Sequence, residues 1–259
     1  MTSSYSISAI VVSLIWKWLE RSGTQGMQFV LQILLARFLL PEDFGLIAIV
    51  MVFISLANVL VQSGFATALV QRRDADNRDF SSILYLSLGV ATVLYTVLFL
   101  VAPSLALFYE QPRLTPILRV LSLSLFFGAV NSVQNAYIAR NMMFNTLFMG
   151  SLCATVVSGI AGVVAATKGL GPWALVIQQL ANQAVLAAVL WAIVPWRPER
   201  VFSLHRVRHL LSFAWKLLLS DLIHTLYLDL RTLAIGRIYD SSILGYYNRG
   251  ESIPKVVVS

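Results

Sequence analysis

The sequence predicts an all-α, polytopic membrane protein, and three observations carry that prediction. Hydrophobic residues fill 58% of the 259 positions and charged ones only 12%, and mean hydropathy is +0.77. The charges gather in short stretches, leaving apolar runs that each suffice to cross a hydrocarbon layer of ~30 Å as a helix. In lipid every backbone polar group must be satisfied internally, which such runs achieve only as helices.

Seven spans follow in order, at 16–39, 44–61, 80–108 with a kink expected at Pro103, 114–138, 149–166, 172–194 and 210–233. The apolar stretch before Trp16 is not a cleaved signal, because no basic residue precedes it and no small-residue cleavage site follows, so it reads as lead-in to the first helix. After the seventh span a short link around Asp240 leads into "ILGYYNRGESIPKVVVS", which begins another segment and stops.

Between the first two spans lies "LARFLLPEDFG" at 35–45. Pro41 lacks an N–H and pushes Leu40 out of helical geometry, which ends one helix and suits the first turn of the next. Glu42 and Asp43 then sit at the positive end of that helix, and Arg37 reaches the interface. The stretch is a tight helical hairpin. Basic residues favour the side holding the N terminus by about ten to four, with Arg37, Arg113, Lys168 and Arg237 opposite, which predicts a cytoplasmic N terminus.

The net charge of +7 does not point to nucleic acid, because Arg and Lys scatter over several connections instead of forming one soluble face. Cys153, the only cysteine, cannot form a disulfide within the chain or a cysteine metal site, and reads as a packing residue. Trp16, Trp18 and Trp196 read as interfacial anchors, and His205 and His209 as interface residues, not metal ligands.

The hairpin has an echo. In "IGRIYDSSILG", 235–245, Arg237 and Gly245 repeat the spacing of Arg37 and Gly45. The helices leading in share a pattern as well: Lys17, Arg21, Gln25, Gln28 and Gln32 on the first, and Lys216, Ser220, His224, Tyr227 and Arg231 on the seventh, fall at identical intervals. Each set stays within about 80° of helix surface and extends about 22 Å along it. Snorkelling accounts for the ends of such stripes but not for middles such as Gln25, Gln28 and His224; polar groups at that depth normally face a cavity and mark a pathway. The expectation is a tandem repeat of six helices, with 1–200 the first lobe and 201–259 the opening of a second, so that the chain is expected to be part of a longer protein.

These residues resemble a known family. "LARFLLPEDFGLIAIV", "FATALVQRRD", "AYIARNMMF", "GLGPWALVIQQLANQ" and "LRTLAIGRIYDSSILGYYNR" resemble polysaccharide and O-antigen flippases, particularly the colanic-acid-exporter branch, of the multidrug/oligosaccharidyl-lipid/polysaccharide (MOP) exporter superfamily. The resemblance implies two six-helix lobes around a central cavity. It also implies a non-enzymatic transporter of undecaprenyl-diphosphate-linked oligosaccharide, working by alternating access in the bacterial inner membrane beside glycosyltransferases and a polysaccharide polymerase. No cofactor is implied beyond a coupling ion, proton or sodium.

Candidate residues follow from that substrate. A lipid diphosphate calls for Lys17, Arg21, Lys216 and Arg231, with Gln25, Gln28, Gln32, Ser220 and Tyr227 lining the cavity. Asp221, His224 and Asp229 are candidates for ion coupling, since an intramembrane ionisable group can change charge as access alternates. Two alternatives differ in chemistry. A multidrug antiporter of the same superfamily fits poorly with the basic first helix. A membrane prenyl-diphosphate enzyme would use Asp74, Asp76 and Asp79 of "RRDADNRD" to hold Mg²⁺, although three Arg in the same stretch favour a solvated loop.

Overall fold

The computed structural model describes residues 7–62, 69, 76–239 and 241–258. Among them there is no strand, and the chain runs α1 (Ile7–Ala36), α2 (Pro41–Gln62), α3 (Asn77–Phe108), α4 (Leu114–Leu121), α5 (Ser124–Arg140), α6 (Phe144–Thr167), α7 (Trp173–Ile193), α8 (Leu204–Ile238) and α9 (Ser241–Val258). Helices α2, α3, α4 with α5, α6 and α7 are long and apolar enough to cross a membrane. The first span begins earlier than its sequence suggested, because the apolar 7–15 stretch continues the helix. The seventh extends at both ends, so α8 at 35 residues is about 52 Å long and exceeds the hydrocarbon thickness.

Local chemistry sets the boundaries. Pro41 is the first residue of α2, and the Leu40 N–H donates to Asp43 Oδ2 at 3.1 Å, closing the helix start. Asp76 caps α3 in a reciprocal box: its carboxylate accepts from the Asp79 N–H at 3.1 Å and its own N–H donates to Asp79 Oδ2 at 3.1 Å. These two carboxylates are therefore engaged in starting a helix, and the described residues hold no group of three side chains suited to a metal ion. Asp74 lies outside the described residues. Helix α3 runs through Pro103. The fourth span instead breaks between α4 and α5, where the Ser122 hydroxyl donates to the Leu118 carbonyl at 2.6 Å and the next turns tighten to three-residue bonds.

Small residues let the helices approach. A Cβ on Gly159 of α6 would lie 2.6 Å from Leu31 Cδ2 of α1, and one on Gly162 would lie 2.9 Å from Gln178 Cβ of α7. Helix α6 is thus clasped between α1 and α7, as expected where van der Waals packing rather than water expulsion drives association. Helix α5 sits among α2, α3 and α7, and Asn131 Nδ2 donates to Gln183 Oε1 at 3.0 Å across that packing. Two expectations are corrected here. Trp196 is 3% exposed and packs on Phe80 at 6.0 Å between centroids, so it fills the core where the chain folds back. Cys153 is exposed on α6 and packs into no core.

The two hairpins meet. A Cβ on Gly45 would fall 1.9 Å from the Ser241 carbonyl oxygen, and one on Gly245 would fall 1.9 Å from the Pro41 carbonyl oxygen. Shifting by 200 positions exchanges the two contacts, the relation expected at a self-complementary two-fold interface. Helix α9 therefore crosses α2 backbone to backbone, while α8 packs along α2. At the same end Arg237 pairs with Glu110 at 3.4 Å.

Candidate substrate cavity

A cavity of about 530 Å³ opens where the C-terminal half of α1, the N-terminal halves of α2 and α7 and the middles of α6 and α9 converge. Helix α1 contributes Gln28 and Gln32, α6 Thr155 and Ser158, α7 Gln178, Gln179 and Asn182, and α9 Asn248. Phe29, Leu31, Phe44, Ile47 and Leu175 supply apolar wall. Every polar group lining it is an amide or a hydroxyl, and no described lining residue is ionisable. The glycine contacts of α6 set the spacing of the walls, since Leu31 and Gln178, which sit against Gly159 and Gly162, are themselves lining residues.

Some of these groups are already committed. The Thr155 hydroxyl donates to the Ser151 carbonyl at 2.8 Å and the Ser158 hydroxyl to the Thr155 carbonyl at 3.2 Å, while Asn182 Nδ2 donates to Ser158 Oγ at 3.2 Å. That chain fixes Asn182 and leaves its carbonyl oxygen and second N–H uncommitted among the described residues. Gln28, Gln32, Gln178 and Gln179 make no side-chain hydrogen bond among the described residues. Asn248 Nδ2 is buried without a partner there.

The predicted site residues distribute over a longer path. Gln28 and Gln32 line the cavity, whereas Gln25, half-buried on the same helix, does not. Lys17 is exposed near the other end of α1, its ammonium 5.8 Å from the Phe144 ring centroid. Arg21 lies on α1 with its side chain outside the described residues. On α8, Lys216, Ser220, Asp221, His224 and Tyr227 are exposed. Arg231, also exposed, lies beside Tyr247 and Tyr227, and Asp229 Oδ2 accepts from the Ser55 hydroxyl at 2.6 Å. Lys17 and Arg231 are thus at opposite ends of their helices, and α1 and α8 have no extensive packing against each other. The hydroxyls of α6 and the amides of α7 and α9 are the residues that sequence reasoning passed over. A signal existed in Gln178, Gln179, Asn182 and Gln183, packed into one short stretch of an apolar helix.

The comparisons agree with this architecture. A family profile described as "Polysaccharide biosynthesis protein" matches residues 34–259. The chain belongs to that family. It is 28% identical over its whole length to the succinoglycan biosynthesis transport protein ExoT of Rhizobium meliloti (strain 1021), covering 53% of that protein. It is 26% identical to the lipopolysaccharide biosynthesis protein WzxC of Escherichia coli (strain K12), over 89% of this chain and 47% of that one. The chain therefore spans about half the length of the curated relatives it matches. In fold it is similar to a multidrug resistance MATE family transporter of the MOP superfamily solved in an inward-facing conformation, with a TM-score of 0.54, 16% identity, and coverage of 94% of this chain and 57% of that one. The fold is all-α and multi-pass, similar to that of the solved transporter.

Proposed function

We propose that this chain supplies the first six-helix lobe, and the first helices of a second, in a flippase that carries undecaprenyl-diphosphate-linked oligosaccharide across the bacterial inner membrane by alternating access. The observation that carries the reading is a polar cavity held open between apolar helices, in a family of polysaccharide biosynthesis proteins. The reciprocal contact of Gly45 and Gly245 supports a two-fold pair of repeats, divided near residue 200. On this reading Lys17, Arg21, Lys216 and Arg231 pass the diphosphate along the space between α1 and α8, since a compact dianion needs cationic partners once it leaves water. Asp221, His224 and Asp229 are the groups through which a proton or sodium gradient couples to that movement. The N terminus is cytoplasmic, and a polymerase and glycosyltransferases act on either side of the step.

A multidrug antiporter is the weaker reading, because the described lining residues offer no carboxylate to a cationic drug. The test is deletion of the gene encoding this chain. Surface polysaccharide should disappear while lipid-linked oligosaccharide accumulates, and Arg21→Ala in the otherwise intact protein should reproduce that loss at normal membrane abundance. Unchanged polysaccharide in the deletion strain rules the function out.

A further inference from the structure

We infer that the cavity between α1, α6, α7 and α9 is a recognition site for the uncharged sugar rings of the cargo, separate from the positions that handle its diphosphate. The inference rests on the glycan-transport reading above and adds which part of the cargo this lobe recognises. Its basis is the chemistry of the lining. Each amide offers both a carbonyl acceptor and N–H donors, and each sugar hydroxyl is itself donor and acceptor, so a set of amides can satisfy neighbouring hydroxyls in either sense. A diphosphate would find no cation among the described lining residues, and an unpaired anion is a costly occupant for such a cavity.

The available groups point the same way. Gln28, Gln32, Gln178 and Gln179 bring unengaged amides from two facing helices, and Asn248 Nδ2 adds a buried donor with no partner among the described residues. Asn248 Nδ2, buried and unpaired among the described residues, is destabilising unless something is bound, and the more accessible glutamines add hydrogen-bonding capacity for a ligand. Phe29 and Phe44 present apolar surface on which the C–H face of a pyranose can rest. At about 530 Å³ the cavity falls within the roughly 300–1,000 Å³ of small-ligand sites, suited to a short run of rings and too small for a whole lipid-linked repeat unit.

The site also spans the two repeats. Asn248 comes from α9, which is held to α2 by the Gly45–Ser241 and Gly245–Pro41 contacts, whereas the other amides come from the first lobe. A movement that parts α9 from α2 withdraws Asn248 and so weakens the grip on sugar. Binding sugar in turn favours the closed crossing, because a ligand shifts a conformational equilibrium toward the state it binds better.

The experiment uses the intact protein in lipid discs and, as probe, radiolabelled free oligosaccharide cut from the host's own exported polysaccharide, carrying neither lipid nor phosphate. Saturable binding is expected, undisturbed by inorganic pyrophosphate. Gln28→Leu on α1 and Gln179→Leu on α7, made separately so that one misfolded variant does not decide the matter, should each weaken binding at least tenfold. Absent binding in a protein that still exports polysaccharide in the deletion strain overturns the sugar site but leaves the transport function standing. Pyrophosphate competition, or binding indifferent to both substitutions, overturns it as well. Loss of both export dependence and binding removes the transport reading itself.

Discussion

Helices α1 and α8 carry polar residues at the same intervals, yet the fold treats them differently. The far half of α1 packs on α6 and touches α9, so that Gln28 and Gln32, though exposed, form one side of an open cavity whose described lining is uncharged. The corresponding part of α8 rests on α2 and α9 and stays largely open, with Tyr227 64% exposed. Its charged groups find local partners: Ser55 for Asp229, and Tyr227 and Tyr247 for Arg231. One sequence pattern thus yields a neutral cavity wall on one side and an ionisable track on the other. What separates them is which neighbours cover the stripe, and the stripe itself does not encode that.

The contrast depends first on the crossing that brings α9 to the cavity. Gly45→Ala places a Cβ against the Ser241 carbonyl, a backbone atom that cannot rotate away. Overpacking typically costs about 1–3 kcal/mol, and a backbone collision lies at or above the top of that range. Thermal unfolding in detergent should show the largest loss of any single substitution considered for this protein. Gly245→Ala should match it, and the double variant should lose much less than the sum, because both break one contact. Additive losses would mean that the two glycines act separately and that the crossing is not a single reciprocal unit.

How much of this the sequence disclosed depended on the range of the interaction. Five of the seven expected membrane spans were legible because an apolar run long enough for the bilayer has few other uses, whereas α1 and α8, diluted by their polar stripes, do not stand out by apolarity among the described residues. The hairpins were legible because Pro41 and the Arg37-to-Gly45 spacing, restated by Arg237 and Gly245, are local. The break inside the fourth span was not, since Ser122 looks like any polar residue until its hydroxyl is seen bonded to Leu118. Trp196 misled for a related reason: an aromatic ring at a span's end suits the interface, and only the fold brings Phe80 over it. The cavity was half legible. Gln28 and Gln32 announce themselves by spacing on α1, but Gln178 and Asn182 become a wall only because glycines on α6 bring α1 and α7 together.

The next test asks how tightly the open track is tethered to the first lobe. The single Ser55 hydroxyl proton can go to the Val52 carbonyl at 2.8 Å or to Asp229 Oδ2 at 2.6 Å, and the shorter, charge-assisted contact should hold it. Hydrogen bonds to charged groups contribute about 1.5–3 kcal/mol. Ser55→Ala should therefore lower stability by roughly 1–2 kcal/mol, and a double-mutant cycle with Asp229→Asn should return a coupling of about 1 kcal/mol. Zero coupling would detach Asp229 from α2 and make the track more mobile than the structure portrays.

The smallest effect belongs to the far end of α8, where Arg237 meets Glu110 at 3.4 Å and lies 5.0 Å from the Phe108 ring centroid. Both charged side chains are well exposed, at 49% and 79%, so water competes for each and salt screens the pair. Exposed pairs of this kind are worth about 0–1 kcal/mol. Glu110→Gln should accordingly shift unfolding by only a few tenths of a kcal/mol at low ionic strength, and the difference should vanish in molar salt. Arg237→Ala should cost somewhat more, because it also removes the guanidinium from the Phe108 face, and that part should survive in salt. A large, salt-independent loss from Glu110→Gln would show that the end of α8 is clamped rather than lightly held, and would bring the two stripes closer in character than their packing suggests.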